Sequence, residues 1–503
     1  MAFAFLIMAA TATSMAFLAI LADPQRRKAA CLIGASVGVT FALAIVNIVA
    51  LPYSIWNNAK LAPPIGLWYG IPLYPGPREP ITDWVQGPVG ALIFAAAVVG
   101  GSADGMLYVA GVINLAFVLI PMVVLVRTES ADIPAVAAAI AALLAGLLSV
   151  QSMFGTAFVI VLDSLALGFL LLAVVALRRA PPASKSILAG GLLALAIWTK
   201  HTIVAGCVGL VAVEWFQSGH RPAATLAGWM IVFTLLLLAA FSAAFGPDRL
   251  WHWMLDVPGR HAWVELASRK PRTVVQVVRE VAWHLSPAAA CLAVAVAASR
   301  GQGIAIPPLA TGFGIIAAFQ LPASVAGYLK IGGSYNHLGI VACLLALSAA
   351  IVLVRLLDGK AWPAAAVAIT AAAWSLIAGP SFSRCNDILG LTEHTPTDRA
   401  VEFARAHPRQ AYFPWHPLAT LVAEGRLNHL EYGLLDLSFA GQKPDRELLL
   451  AGLPDRLEYV VYPDPPFSNY VFNLLGGNLV PSSTESLPGF RVYSLNETIR
   501  GQR

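Results

Sequence analysis

The distribution of apolar residues along the chain predicts a bundle of membrane-spanning helices. Long apolar runs approach the ~20 residues that a helix needs to cross a bilayer. Charged residues fall mainly between these runs, so we predict a mainly α protein, a polytopic transmembrane helical bundle over residues 1–378. The twelve predicted helices are approximately 2–22, 31–52, 105–126, 133–152, 164–177, 186–199, 202–216, 222–245, 281–298, 305–326, 337–355 and 361–378.

A further apolar run, residues 87–101, is short and rich in glycine. Cytoplasmic loops of membrane proteins carry an excess of Lys and Arg. If residues 87–101 crossed the membrane, the basic loop with Arg178, Arg179 and Lys185 would face outward. We therefore predict an interfacial or re-entrant helix inside a first large outer loop, residues 53–104.

The last part of the chain, residues 379–503, has the densest charge and a mixed periodicity. QAYFPW and EYVVYP are typical of strands, whereas PTDRAVEFARAH and PDRELLLAGL are typical of helices. We predict a small C-terminal α/β domain outside the membrane, on the outer side.

The overall composition agrees with a membrane protein and argues against a nucleic-acid partner. Hydrophobic residues make up 58% of the chain and charged residues 12%, about half the usual charged share of a soluble protein. The net charge of +5 comes from basic residues scattered between apolar segments, without a basic patch. The five cysteines show no metal-type spacing.

Lys200 and His201 stand side by side at the turn between two predicted helices, at the outer surface. One interpretation is that Lys200 extends its ammonium group to the interface. The other is that this cation binds an anion at the rim of a cavity, which in a membrane enzyme would be a lipid-linked phosphate. Ionisable residues within apolar segments favour the functional interpretation.

Other polar residues are predicted at the same outer level. Two carboxylates there could hold a divalent cation, or one could take a proton from an acceptor hydroxyl. The candidates are Tyr74, Glu79 and Asp83 in loop 53–86, Asp163 before a helix, Arg260 and His261 in loop 246–280, and Lys330, Tyr335, Asn336 and His337 near loop 327–336.

The order of several motifs resembles the GT-C superfamily of integral membrane glycosyltransferases, whose relatives include protein mannosyltransferases and the aminoarabinose transferase of lipid A. The matching stretches are YGIPLYPGP (69–77), the carboxylate Asp163, ILAGGLLALAIWTKHT (187–202) and SYNHLG (334–339). The resemblance implies a GT-C fold and an enzyme that moves a hexose or pentose from a polyprenyl-phosphate donor to an envelope acceptor on the outer side of the membrane. It also implies lipid, glycan or protein acceptors.

One position departs from the family. Where the family has an acid after the helix that precedes its first outer loop, this chain has Asn57 and Asn58. The nearest later acids are Glu79 and Asp83, so either could be the base, and a catalytically inactive relative that acts as a scaffold stays open. A lipid or sugar transporter or flippase is the alternative from another class.

The resulting hypothesis assigns roles to the candidates. Asp83, Asp163 and Glu79 form the catalytic group, and Asp83 and Asp163 are also the candidates for a divalent metal, the one cofactor considered. The remaining candidates bind the donor phosphate (Lys200, His201, Arg260, His261 and Lys330) or the substrates (Tyr74, Tyr335, Asn336 and His337). The expected location is the inner membrane of a bacterium, with the C-terminal domain periplasmic or extracellular.

Overall fold

The computed structural model describes residues 10–15, 24–76, 79–82, 84–263, 273–377, 396–444, 446–463, 479–482 and 485–495. Most of the predicted first helix, residues 2–22, lies outside this set, and residues 10–15 are helical. The remaining helices up to residue 377 are α1 (Arg27–Val49), α2 (Ile55–Gly66), α3 (Pro88–Ala95), α4 (Ala103–Glu129), α5 (Ile133–Ser149), α6 (Gln151–Phe158), α7 (Leu162–Arg179), α8 (Lys185–Thr199), α9 (Val204–Ser218), α10 (His220–Phe245), α11 (Pro247–Trp251), α12 (Val257–Arg260), α13 (Val274–Gly301), α14 (Pro308–Leu329), α15 (Gly339–Leu357) and α16 (Ala361–Ile377).

The described part of the chain contains six helices that are long and apolar enough to cross a membrane. They are α1, α4, α10, α13, α14, and α15 with the 3-10 turn before it, and they have 22 to 28 residues each. At 1.5 Å per residue these lengths correspond to about 33–42 Å, enough for a hydrocarbon core of about 30 Å. A seventh span results if α5 and α6, bent by 95° at their junction, are taken together. The prediction of a polytopic, mainly α protein is confirmed.

Helix α2 was not predicted, because its sequence has the composition of a loop. Pro63 and Pro64 lie inside it, and Asn57 and Asn58 lie in its first turns. Proline and asparagine favour turns over helix interiors. Both asparagines are nevertheless fully buried, so tertiary contacts determine the conformation of this segment.

Two further helices differ from the prediction because their polar residues interrupt the apolar pattern from which helices were predicted. Helix α6 occupies most of the predicted outer loop 153–163, and its Ser152 and Thr156 are buried. Helix α13 begins seven residues before the predicted residue 281. Thr273 and Gln276 form a capping box there, in which each side chain bonds the backbone N–H of the other. A capping box is a strong helix start, but its polar turn lies outside the apolar run.

The predicted cytoplasmic loops meet at one end of the bundle. Arg26 pairs with Asp132 at 3.3 Å, and the Ser130 hydroxyl donates to Asp358 at 2.9 Å. These contacts join the loops that precede α1, follow α4 and follow α15. The predicted outer loops lie at the opposite end, where the C-terminal region packs on them.

Segment 87–101 begins and ends at the end of the bundle that carries the C-terminal region. It forms α3 and a 3-10 helix, Ala96–Gly100. At its start Gly87 lies against the backbone of Trp198. Just after its end, the carboxyl groups of Asp104 and Asp398 lie close enough to interact. Because Asp398 belongs to the C-terminal region, this geometry agrees with a segment that does not cross.

Cysteine labelling tests this arrangement. In a variant whose native cysteines are replaced by alanine, we expect Ser102→Cys and Lys443→Cys to react with an impermeant reagent from the same side of the membrane. Both positions are exposed. Ala183→Cys, exposed in the loop between α7 and α8, should react from the other side. If Ser102→Cys reacts together with Ala183→Cys, residues 87–101 cross the membrane.

The C-terminal region contains four strands and four helices within its described residues. The sheet order is β1-β2-β4-β3, with β1 parallel to β2 and the other pairs antiparallel. This region contains both predicted strands and both predicted helices. The boundary predicted at residue 379 lies outside the described residues. The elements are α17 (Pro396–Ala406), β1 (Ala411–Tyr412), α18 (Leu418–Glu424), α19 (Glu431–Phe439), α20 (Arg446–Ala451), β2 (Tyr459–Pro463), β3 (Leu479–Pro481) and β4 (Phe490–Leu495).

Buried polar contacts attach the C-terminal region to loop 53–86. The Asn58 amide donates to the Thr397 hydroxyl at 2.9 Å and accepts from the Leu418 N–H at 3.3 Å. The Ile81 N–H donates to His429 Nδ1 at 2.8 Å, and the Leu430 N–H donates to the Ile81 carbonyl at 2.9 Å. These side chains are buried, so the attachment is an integral part of the packing.

The His429 contact makes this attachment sensitive to acid. Because Nδ1 accepts from Ile81, Nε2 carries the proton and donates to the Leu448 carbonyl at 3.0 Å. Burial lowers the pKa of His429 from its ordinary 6.5. The folded state therefore favours the neutral imidazole. The contribution of His429 to the stability of the fold is complete above about pH 6.5 and falls as the pH drops below that value.

We expect hydrogen exchange at the Ile81 amide to accelerate between about pH 7.5 and about pH 5.5, after correction for intrinsic exchange. His429→Gln keeps an acceptor and a donor but cannot be protonated, so it should lose less protection over this interval. Burial also lowers the pKa of His416, to about 3, and the comparison of wild type with variant isolates His429. Equal acid dependence in both proteins would remove His429 as the cause.

Candidate functional site

The centre of the candidate site is a buried ion pair between Asp163 and Lys200. Asp163 lies in the first turn of α7, and Lys200 follows the last residue of α8. The Lys200 ammonium donates to both carboxylate oxygens at 2.7 Å, and the side chains are 5% and 2% exposed for Lys200 and Asp163. A carboxylate at a helix start and a cation at a helix end both interact favourably with the helix dipole.

The structure contradicts the interpretation in which Lys200 extends its ammonium group to the interface. Lys200 is buried and does not extend to the interface. Its charge is balanced within the protein by Asp163. An unpaired buried ion would cost several kcal/mol, so each member of the pair is needed to hold the other in an apolar bundle.

Asn336 and two histidines surround the pair. The Asn336 amide donates to Asp163 Oδ2 at 3.2 Å. Asn336 lies in the 3-10 turn Tyr335–Leu338, which approaches α6 at Gly155, where an added Cβ would come within 3.0 Å of the Tyr335 ring. His337 is half-buried and lies within electrostatic range of Lys200, Asp163 and His201. Nδ1 of His201 is buried and has no hydrogen-bond partner within the described residues.

The structure brings Lys330 and His261 towards this cluster. Lys330 lies within electrostatic range of both His201 and His261. The Lys330 ammonium donates to the carbonyls of Pro258 and Gly259 at 2.8 and 3.2 Å. Burial lowers the pKa of Lys330, and burial together with the Lys330 charge lowers the pKa of His261. Four of the five predicted phosphate-binding residues thus lie in one strip, in which Lys200 and Lys330 carry the positive charges.

Arg260, the fifth, is exposed at the edge of this strip. Its Nε donates to Asp256 at 2.7 Å, and the other Asp256 oxygen lies 3.2 Å from His252 Nδ1. Residues His252–Asp256 form a turn of π-helix between α11 and α12, a feature that is frequent at functional sites. Asp256 balances Arg260 locally, so Arg260 is not oriented towards Lys200 by any contact of its own.

The two described candidates of loop 53–86, Glu79 and Tyr74, make their hydrogen bonds to residues other than the ion pair. The Glu79 carboxylate accepts from the Gly76 N–H at 2.6 Å and from Arg249 at 3.2 Å, and its side chain is 38% exposed. The buried Tyr74 hydroxyl donates to the Gln86 carbonyl at 2.5 Å. Asp83 lies outside the described residues. Tyr335, the other aromatic candidate, stacks on His284 with ring centroids 5.8 Å apart.

Asn57 and Asn58, which stand where the family has an acid, are structural. Asn58 attaches the C-terminal region, as described above. Asn57 donates to the Leu51 carbonyl at 3.1 Å and accepts from the Ile160 N–H at 2.8 Å. Both amides are fully buried, and a neutral amide is not a base, so neither takes a proton from an acceptor.

The divalent metal at Asp83 and Asp163 stays a prediction, because Asp83 lies outside the described residues. At Asp163 both oxygens accept from Lys200, so the charge of this carboxylate is already balanced without a metal ion. Within the described residues, no group of three His, Cys, Asp or Glu side chains is placed to hold a metal ion.

The sequence analysis missed one polar residue near the site. Asn114 lies in the middle of α4 and is 1% exposed. Its side chain contacts the turn before α7, and this turn leads directly to Asp163. The available signal was the residue itself, because an amide inside an apolar membrane helix needs a partner.

No protein-family profile and no curated protein sequence matches the chain. Two crystal structures of ArnT from Cupriavidus metallidurans resemble it over most of its length. The structure in the apo state is 14% identical with a TM-score of 0.55, and the match covers 92% of this chain and 98% of ArnT. The structure bound to undecaprenyl phosphate is 12% identical with a TM-score of 0.56, and the match covers 91% and 97%. The protein is therefore an integral membrane protein whose fold is similar to that of ArnT, which agrees with the fold that the resemblance of its sequence implied.

Proposed function

We propose that the protein is a membrane glycosyltransferase that moves a sugar from a polyprenyl-phosphate donor to an envelope acceptor on the outer side of the membrane. The observation that carries this proposal is the buried Asp163–Lys200 pair, which lies beside His201 in the strip that contains a second ammonium group, that of Lys330. A phosphate headgroup is the ligand that such a strip suits, because charge-assisted hydrogen bonds to phosphate are strong. The similarity to an ArnT structure bound to undecaprenyl phosphate supports a lipid of this kind.

The proposed chemistry is a single displacement at the anomeric carbon. The bond from that carbon to the phosphate oxygen breaks as the acceptor oxygen forms a new bond to it. Negative charge develops on the departing polyprenyl phosphate, and Lys200 with His201 and Lys330 stabilises it. Fixed cations in a site that excludes water stabilise such charge more strongly than water does.

The acceptor proton needs a base, and Asp163 is poorly suited to that role. Both of its oxygens accept from Lys200. We therefore propose that Asp163 orients Lys200 and that an acid of loop 79–83, Asp83 or Glu79, takes the proton. A positioned general base typically contributes 10²–10⁴ in rate.

Binding of undecaprenyl phosphate by the purified protein tests the proposal directly. We expect Lys200→Gln to weaken binding by about ten-fold or more, because a hydrogen bond to a charged group contributes about 1.5–3 kcal/mol. Lys185→Gln is the matched control, since Lys185 begins α8 at the opposite end of that helix. Equal binding by wild type and Lys200→Gln would contradict a phosphate site at Lys200.

The transferred sugar can be found by mass spectrometry of envelope lipids and glycans from cells with and without the protein. A product that lacks one sugar in its absence is the expected result. Unchanged glycan structures with a redistributed lipid would instead indicate a transporter or flippase, and no change in either would indicate a scaffold.

A further inference from the structure

The turn that carries Asp163 is held by buried amides from two other helices. Helix α6 ends at Phe158 and α7 begins at Leu162. The carbonyls at a helix end have no partner within the helix and need one elsewhere. Here the Asn114 amide donates towards the carbonyls of Thr156, Ala157 and Val159, at 3.2, 3.1 and 2.8 Å.

The amide oxygen of Asn114 contacts Ser164, the residue that follows Asp163 of the ion pair. Asn114 Oδ1 accepts from the Ser164 hydroxyl, and Ser164 follows Asp163 directly. Asn114 therefore ties the end of α6 to the start of α7 through a single side chain. On the opposite side, Asn57 Oδ1 accepts from the Ile160 N–H at 2.8 Å.

The apolar surroundings of Asn114 explain why its hydrogen bonds matter. Asn114 is one of the buried residues of α4, a helix long and apolar enough to cross a membrane. An amide in such a helix is costly unless its hydrogen bonds are made. Leucine has a similar size and would pack there without that cost, so the contacts to residues 156–164 account for an asparagine at this position.

We propose that Asn114, assisted by Asn57, is a positioning residue for the Asp163–Lys200 pair. This inference rests on the proposed function, in which Lys200 meets the donor phosphate. The pair has both oxygens at 2.7 Å from one ammonium, and a displacement of about 1 Å at the start of α7 would disrupt that geometry. Misplacements of this size commonly cost about 10²-fold in rate.

The test compares Asn114→Leu with Asn47→Leu as the matched control. Asn47 is also buried in an apolar helix, but it donates to the Leu43 carbonyl of its own helix at 2.8 Å. We expect Asn114→Leu to lower kcat by about ten- to a hundred-fold with little change in the KM for the acceptor. Asn47→Leu should leave kcat within about two-fold of wild type. Ser164→Ala, a smaller change, should lower kcat several-fold if Asn114→Leu does not fold.

A second readout does not depend on catalysis. Reductive methylation of Lys200, followed by mass spectrometry, should be slow in wild type because the ammonium is buried and paired. We expect it to accelerate several-fold in Asn114→Leu or Ser164→Ala and to stay slow in Asn47→Leu. Unchanged methylation together with unchanged kcat would overturn the positioning role. Accelerated methylation in a protein that transfers no sugar at all would support the positioning of Lys200 and count against the proposed function alone.

Discussion

Lys200→Met is expected to abolish glycosyl transfer and to lower the free energy of unfolding by about 3–5 kcal/mol, because it leaves the buried Asp163 carboxylate without its cation. The wild-type pair is nearly inaccessible, with side-chain exposures of 5% and 2%. The Asn336 amide is the other described side chain on this carboxylate, and one amide cannot balance a full charge. Thermal unfolding in detergent and transfer from a lipid-linked donor measure the two effects.

The double variant Asp163→Leu/Lys200→Met separates stability from activity. Replacing both members of a buried ion pair by apolar residues is often neutral or stabilising, so the double variant should unfold near the wild-type temperature. It should still transfer no sugar, since the phosphate has lost its cation. Transfer at the wild-type rate by this variant would mean that the pair has only a structural role.

Gly87→Ala is expected to destabilise the protein by roughly 1–3 kcal/mol, the usual cost of forcing extra volume into a packed interior. A Cβ at residue 87 would lie 1.7 Å from the Trp198 carbonyl oxygen and 2.4 Å from its carbon. Both atoms belong to backbone, so the clash cannot be relieved by a side-chain rotation. Because Trp198 lies two residues before Lys200, we also expect transfer to fall by about ten-fold or more as the end of α8 shifts.

Gly228→Ala is the matched control for this substitution. Gly228 lies within α10, and an added Cβ there would meet nothing within 4 Å. Alanine favours helix by up to about 1 kcal/mol over glycine, so this variant should be as stable as wild type or slightly more stable. If Gly87→Ala has the unfolding temperature and the transfer rate of wild type, segment 84–87 does not determine where Lys200 lies.

The sequence predicted where the described apolar helices lie, because apolar runs mark them directly, but six of the twelve predicted helices are long and apolar enough, within the described residues, to cross a membrane singly. It failed at α2, where Pro63 and Pro64 indicated a loop. The helical conformation there depends on contacts with Thr397 and Leu418. The local sequence around α2 cannot predict contacts with residues so distant along the chain.

The ion pair was partly predictable. Asp163 and Lys200 were both expected at the outer level, but with separate roles. In an antiparallel helical hairpin the start of the first helix and the end of the second lie side by side. Asp163 begins α7 and Lys200 follows α8, so their pairing follows from the hairpin itself. The roles of Asn57 and Asn114 could not be predicted, because they bond backbone groups whose positions only the folded structure defines.

The attachment of the C-terminal region to loop 53–86 has a consequence for how the protein is made. The buried amide of Asn58 finds its partners 339 and 360 residues later, and the Ile81 N–H finds its partner 348 residues later. Because synthesis proceeds from the N-terminus at about 5–20 residues per second, these groups wait tens of seconds or longer for partners. During that interval α2 and the segment at Ile81 lack these hydrogen-bond partners. The end of the bundle that carries the C-terminal region therefore reaches its final form only after the segment 397–429 has been synthesised.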